Sequence, residues 1–403
     1  FKKLIENNAY YIDKTKFIAD ILNDAAEVKL FTRPRRFGKT LNISTLKYFF
    51  DIQNKDENRK LFNGLDIEKS QYISEQGKYP VIFISMKGIK APNWEDYLFQ
   101  IKTLIKELYN EFSFIREILN KSELDSFDKI WLKKDDGEYS NALKNLTAYL
   151  YKYYKKEVIL LIDEYDNPLI TAYEYHYYDD ALPFFKVFYG EALKTNPYLK
   201  MGVMTGIIRV IKAGIFSDLN NLRVYSILSK QYSDFFGFTQ NEVENALEDF
   251  NIEYELPDVK IWYDGYKFGN SEVYNPWSIL NFLEDRELEA YWVGTSNNFL
   301  INDILKNTNS EINDSLEKLF NGERIEEIIT DNSDLSSLLS YHEIWELLLF
   351  SGYLTIDKKI DRKLYSLRIP NKEINELFKD EFIDVNFGES LFRNTMEALK
   401  KNK

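Results

Sequence analysis

The residues of this chain best suited to chemistry fall in two short stretches. Arg33-Pro34-Arg35-Arg36-Phe37-Gly38-Lys39-Thr40 follows the apolar run Val28–Thr32, and Asp163-Glu164 closes the run Val158–Ile162. A loop of the form GxxxxGK[ST] cradles phosphate with backbone N–H groups, neutralises it with Lys and offers a hydroxyl to Mg²⁺. Gly38, Lys39 and Thr40 complete that pattern, while Arg33 stands where the first Gly belongs. Taken alone, Gly-Lys-Thr is also what a helix start with a solvated lysine looks like. The buried run before it and the second pair of acids turn the reading toward a nucleotide site lined by Arg33, Pro34, Arg35, Arg36, Phe37, Gly38, Lys39, Thr40 and Leu41.

In that reading Thr40 and Asp163 attend to the metal, Asp163 through water, and Glu164 orients and activates the attacking water. A strand ending in two solvated acids before a helix opened by Tyr165-Asp166-Asn167-Pro168 is the plainer alternative. Thr205 ends a further apolar run, where a polar residue can sense the γ-phosphate or can merely cap the next segment. Arg209 follows and is placed either to reach phosphate or to form a surface ion pair.

These residues need a scaffold that brings the ends of several strands together. The order strand (Val28–Thr32), tight loop and helix (Leu41, Ile43, Leu46, Phe49, Phe50) is the one a phosphate site requires. Apolar spacing predicts a helix from Asp13 to Asn23, strands at Val81–Ser85, Val158–Ile162, Lys200–Thr205 and Leu222–Ser226, and helices from Trp94 to Leu119 and Asn141 to Tyr154. Strands alternating with helices imply a mostly parallel, doubly wound sheet. Thr239 can cap a helix through Phe250, and Asn275-Pro276 can open another through Phe282, giving a mainly helical lid. A helix near Ile344–Phe350, then Gly352–Ile356 and Lys363–Pro370 across a charged turn, suggests the wing of a winged helix.

Composition narrows the chemistry further. A chain of 403 residues is expected to form two or three domains. It has no Cys, which excludes disulfides, thiolate catalysis and Cys-based zinc sites, and its two histidines, His176 and His342, are far apart. Catalysis must then rest on carboxylates, Lys, Arg, hydroxyls and bound metal. The net charge of −13 argues against nonspecific coating of nucleic acid. No apolar run approaches the ~20 residues of a membrane span, and the first residues lack the apolar segment of a signal peptide, so a cytoplasmic protein with no membrane partner is expected. The missing initiating Met suggests a fragment.

The chain resembles the bacterial AAA-ATPase-like proteins, P-loop ATPases often fused to a C-terminal PD-(D/E)XK-type nuclease domain. The residues that carry the resemblance are Tyr10–Thr15, Arg33–Asn42, Leu161–Asp166, Thr205-Gly206, Ile215–Asn221, Trp262–Tyr266 and Tyr274–Trp277. The substituted first glycine is part of that family's pattern. The resemblance also implies that the chain stops about where a nuclease domain would begin. Glu27-Val28-Lys29 imitates the E-x-K half of a nuclease site, but its place on the first strand favours a structural role. The aromatic stretch Tyr173–Tyr178 can stack on bases, though its acids favour helix packing.

The fold expected is therefore α/β: a P-loop NTPase with a parallel, AAA+-like sheet over residues 1–237, a helical lid over 238–310 and a winged-helix-like region over 311–403. ATP and Mg²⁺ are the expected cofactors. Hydrolysis, with Glu164, Lys39, Thr205 and Arg209 as catalytic candidates, would drive a switch or motor for a downstream nuclease-like domain. The rival is a nucleotide-regulated DNA-interaction or scaffold protein with little hydrolysis. DNA, through the C-terminal region or the nuclease domain, and further copies of the chain are the expected macromolecular partners. Arg35 and Arg36, unusual in a phosphate loop, call for an anion: the triphosphate, Asp264 of the lid, or a neighbouring subunit. The alternative is that they point to solvent.

Overall fold

A computed structural model describes residues 1–209, 221–252, 256–292, 310–330, 341–380 and 382. The chain divides into two compact units, one comprising Phe1–Thr32 and Lys39–Tyr225, the other Arg33–Gly38 and Ser226–Lys403.

The first unit is built on a sheet of five parallel strands in the order β2-β3-β4-β1-β5. The strands are β1 (Val28–Thr32), β2 (Val81–Ser85), β3 (Val158–Asp163), β4 (Leu199–Gly206) and β5 (Leu222–Tyr225). Every residue of β1 and β3 is buried. A parallel strand covered on both faces needs an unbroken apolar run, which is why these two stand out without alternation. Lys29 interrupts the run within β1: its stem lies inside and its ammonium reaches the carbonyl of Ala26, while Thr32 and Asp163 are polar residues at the strand ends. Glu27 accepts from the Asn221 amide at 2.7 Å, so Glu27-Val28-Lys29 serves the sheet.

In chain order the helices of this unit are α1 (Lys2–Glu6), α2 (Lys16–Asn23), α3 (Lys39–Phe50), α4 (Lys55–Lys60), α5 (Trp94–Glu111), α6 (Lys121–Trp131), α7 (Ala142–Tyr154), α8 (Asn167–Glu174) and α9 (Tyr178–Leu193). The helix expected from Trp94 to Leu119 stops at Glu111 and continues as a 3₁₀ turn over Ser113–Ile118. The tighter winding places both Phe112 and Ile115 inside. Helix α6 was not expected from apolar spacing. Its signal is the capping box of Asn120 and Glu123, each side chain accepting from the other's backbone N–H. Around the tyrosine-rich stretch, Tyr177 donates to the Ala91 carbonyl at 3.1 Å and stacks on Tyr175, with Lys90 over the Tyr175 ring. Tyr175 and Tyr177 are thus engaged in packing contacts.

In the second unit α10 (Gln240–Asp249) carries the expected Thr239 cap, completed by Glu242, and α12 (Pro276–Asp285) opens on the side chain of Asn275. Between them lie α11 (Leu256–Tyr263) and a hairpin of β6 (Tyr266–Phe268) and β7 (Ser271–Val273), so the helices of this stretch are interrupted by a hairpin. Gly269 in its turn has φ +52°, and a Cβ there would meet the Ser229 carbonyl at 2.3 Å, so only glycine fits. Further on come the helix Ser310–Phe320, β8 (Ile325–Ile328), the helix Tyr341–Ser351, β9 (Thr355–Lys359) and β10 (Leu364–Arg368). The three strands form an antiparallel sheet in the order β8-β10-β9. No helix among the described residues is long and apolar enough to cross a membrane. Of the stretch Ile215–Asn221, only Asn221 lies within the described residues.

Candidate nucleotide site

In the first unit the C-terminal ends of β2, β3 and β4 lie side by side, with Ser85 paired to Asp163 and Ile162 to Met204. Parallel strands all deliver their last residues to one edge of the sheet, and it is there that α/β proteins collect ligands. The edge holds a buried carboxylate surrounded by hydroxyls. Asp163 is wholly buried. Its Oδ1 accepts from Thr205 Oγ1 at 2.6 Å, and its Oδ2 accepts from Thr40 Oγ1 at 2.9 Å and Ser85 Oγ at 3.3 Å. A buried carboxylate needs such donors, because leaving it unpaired costs several kcal/mol.

Lys39 begins α3 and is buried, while Thr40, next to it, is exposed. The N–H groups of a first helical turn point along the helix axis away from the helix, and with the Lys39 ammonium they are donors suited to an anion. Glu164 follows Asp163 with φ +53°, a left-handed conformation that a non-glycine residue adopts only when its neighbours hold it. Burial and the Asp163 carboxylate push the Glu164 carboxyl above its ordinary value, and the charges of Lys39 and Lys87 pull the other way. Its backbone N–H donates to Thr205 Oγ1 at 3.4 Å. Hydroxyl and carboxylate oxygens are hard donors of the kind Mg²⁺ accepts, so Thr40 and Asp163 together fit that ion.

The turn after β4 is tied to the same motif. Asp166 is buried and its Oδ2 accepts from the N–H groups of Ile207 at 2.7 Å and Ile208 at 3.0 Å. Tyr165 donates its hydroxyl to the Ile208 carbonyl at 2.7 Å. Arg209 continues from this turn.

Ser85 and Asp166 were not among the sequence candidates. Ser85 carries the same signal as Thr205, a polar residue closing an apolar strand. Leu41 lies at the start of α3, half-buried, its carbonyl accepting from the Thr45 hydroxyl at 3.0 Å.

Residues Arg33–Gly38 belong with the second unit. Arg33 is fully buried, donates to the Tyr232 carbonyl at 3.0 Å and lies over the rings of Phe236 and Phe268. Burial pushes its guanidinium down to about 9. Phe37 is packed edge-on to Tyr266 and against Phe268, and Pro34 lies near Gly352. Arg36, at φ +69°, stacks its guanidinium 4.0 Å above the Trp277 ring and donates to the Tyr291 carbonyl at 3.3 Å. Its counter-charge is Glu373, which lowers the cost of holding it there. The Asp264 carboxylate considered for this role instead accepts from the Gly265 N–H at 2.6 Å. Trp277 supplies a flat face that an aspartate cannot, and Glu373 comes from far along the chain. Arg35 is half-buried, and Gly38 turns the chain into α3 at φ +77°.

Residues 1–216 match the family described as "Predicted AAA-ATPase". A protein of Azotobacter chroococcum mcd 1, described as "Uncharacterized protein in vnfD 5'region", is 26% identical over 386 residues, which is 93% of this chain. The chain spans 66% of that relative's length. A family match over more than half of the chain, on a sheet whose strand ends gather Lys39, Thr40, Asp163 and Glu164, makes this protein a member of the AAA-ATPase-like family.

Proposed function

We propose that the chain binds Mg-ATP through the loop Arg33–Leu41 and hydrolyses it. The observation that carries this reading is the Thr40 hydroxyl 2.9 Å from Asp163, beside a buried Lys39 at a helix start. The backbone of the loop and Lys39 hold the β- and γ-phosphates, Thr40 and Asp163 hold the metal, and Glu164 takes the proton of the attacking water. The raised affinity of Glu164 for protons suits it to that task. Thr205, bonded to Asp163 and to the Glu164 backbone, reports the γ-phosphate to both acids. Arg209 would add charge from the adjoining turn. Magnesium, when bound, neutralises charge building on the transferred phosphoryl group.

On this reading the ATPase is a switch or motor for a nuclease-like domain. The order of strands and helices among the described residues 310–330 and 341–368 supports a winged-helix-like region. The helix Tyr341–Ser351 has no Lys or Arg and residues 344–350 are buried, which does not suit it to a DNA groove. The turn between β9 and β10 does favour the second reading, a DNA-interaction protein: Lys358, Lys359, Arg362 and Lys363 are all exposed there. Phosphate release from ATP with Mg²⁺, measured with and without duplex DNA at two salt concentrations, tests both. Turnover without DNA is expected. ATP binding with no release under either condition, together with salt-sensitive DNA binding, would favour the second reading.

A further inference from the structure

Asp166 has no part in the proposed chemistry, yet its carboxylate ties the turn after β4 to the segment that follows β3. It is 2% exposed and follows Asp163 by three residues. One of its oxygens takes both amides of the turn that leaves β4, Ile207 at 2.7 Å and Ile208 at 3.0 Å. Tyr165 adds a bond on each side, its N–H to the Thr205 carbonyl at 2.9 Å and its hydroxyl to the Ile208 carbonyl at 2.7 Å. The fit leaves no slack at Gly206: a Cβ there would meet the Tyr165 ring at 2.6 Å and Asp166 Oδ1 at 2.8 Å.

We propose that Asp166 is a positioning residue for hydrolysis: it fixes the turn Ile207–Arg209 against β3 and so holds the Thr205 hydroxyl between Asp163 and Glu164. The proposal rests on the hydrolytic reading. The geometry behind it is a closed circuit. Thr205 Oγ1 donates to Asp163 and accepts the Glu164 N–H, so a shift of the β4 end disturbs the metal-side acid and the base together. Two amides, that of Ile208 buried and that of Ile207 partly so, share one carboxylate oxygen and hold that end still, and charge-assisted bonds to a buried carboxylate are stronger than neutral ones. Asp166 itself touches neither phosphate nor water in this role.

Asp166→Ala removes the acceptor that both amides share, Asp166→Asn keeps one oxygen that can serve both amides, and Gly206→Ala pushes on the same turn from the other side. Amide hydrogen exchange of the segment 205–209 reads the latch without any turnover. Protection is expected in the wild type and in Asp166→Asn, with exchange at least about tenfold faster in Asp166→Ala. Steady-state kinetics then read the consequence: kcat lower by about thirtyfold in Asp166→Ala and Gly206→Ala, KM for ATP unchanged, and Asp166→Asn within about threefold of wild type. Thermal melts check that each variant is folded. Wild-type exchange in Asp166→Ala would overturn the proposal, and so would faster exchange with unchanged kcat or with KM and kcat altered together. If the wild type releases no phosphate, the hydrolytic reading itself fails and the role in hydrolysis falls with it, while the exchange data still say whether the latch exists.

Discussion

Glu373 gives the second unit a stability that depends on pH in a calculable way. The residue has no solvent exposure, and its carboxylate accepts from Ser278 Oγ at 2.8 Å and from the N–H groups of Tyr291 and Trp292, both at 2.8 Å. Burial pushes its carboxyl from 4.5 up to about 7, against the pull of those donors and of Arg36. The folded protein therefore keeps a proton that the unfolded chain has already released. Stability from this group is fully present below about pH 4.5, declines as pH rises and reaches its floor above about pH 7. Each tenfold difference in proton affinity between the folded and unfolded chain is worth ~1.4 kcal/mol, so the whole loss is about 3 kcal/mol, of which ~2–3 kcal/mol falls between pH 5 and 8. Glu373→Gln imitates the protonated form, its carbonyl accepting the two amides and its NH₂ facing Ser278. Guanidinium unfolding followed by tryptophan fluorescence should show the wild type losing ~2–3 kcal/mol more than the variant over that range. Asp51, also raised to about 7 by burial, contributes a slope of the same sign but is present in both proteins. Parallel pH profiles, or a variant less stable than wild type at pH 8, would refute the reasoning.

Three further expectations concern the nucleotide loop and its acids. Lys39→Ala should weaken ATP binding on the order of a hundredfold, the loss of a charge-assisted contact to phosphate, and titration calorimetry at wild-type affinity would contradict it. Glu164→Gln should keep nucleotide affinity and lose turnover by ~10²–10⁴, whereas Asp163→Asn should also weaken Mg-dependent binding; phosphate release at the wild-type rate from Glu164→Gln would rule out the base assignment. Arg33→Met should be close to neutral in chemical denaturation, because the thioether chain fills the aromatic pocket and spares the cost of burying a guanidinium. Arg33→Ala, by contrast, leaves a cavity and takes a donor from the Tyr232 carbonyl, and should cost ~2–4 kcal/mol; equal stabilities for the two variants would show that the charge, not the packing, matters.

The strand-loop-helix that carries Gly38, Lys39 and Thr40, and the buried strand that ends in Asp163 and Glu164, were legible in the residues themselves. Both are local patterns: an apolar run of β length, a glycine at a turn, a helix start. The caps of α10 and α12 were legible for the same reason, since Thr239 and Asn275 act within three residues of their own backbone. What the sequence did not carry is which strand ends meet. Ser85 reaches Asp163 from 78 residues away, and Glu373 binds Ser278 across 95. Such pairs arise from strand order and register, which periodicity does not encode, and so Ser85 and Asp166 join the site only in the folded chain. Arg36 shows the same limit. Its charge announced the need for a partner, but choosing Trp277 and Glu373 over Asp264 required knowing which surface the loop packs against. A side chain can declare its desolvation cost in sequence, whereas the group that offsets the cost is fixed only when distant segments come together.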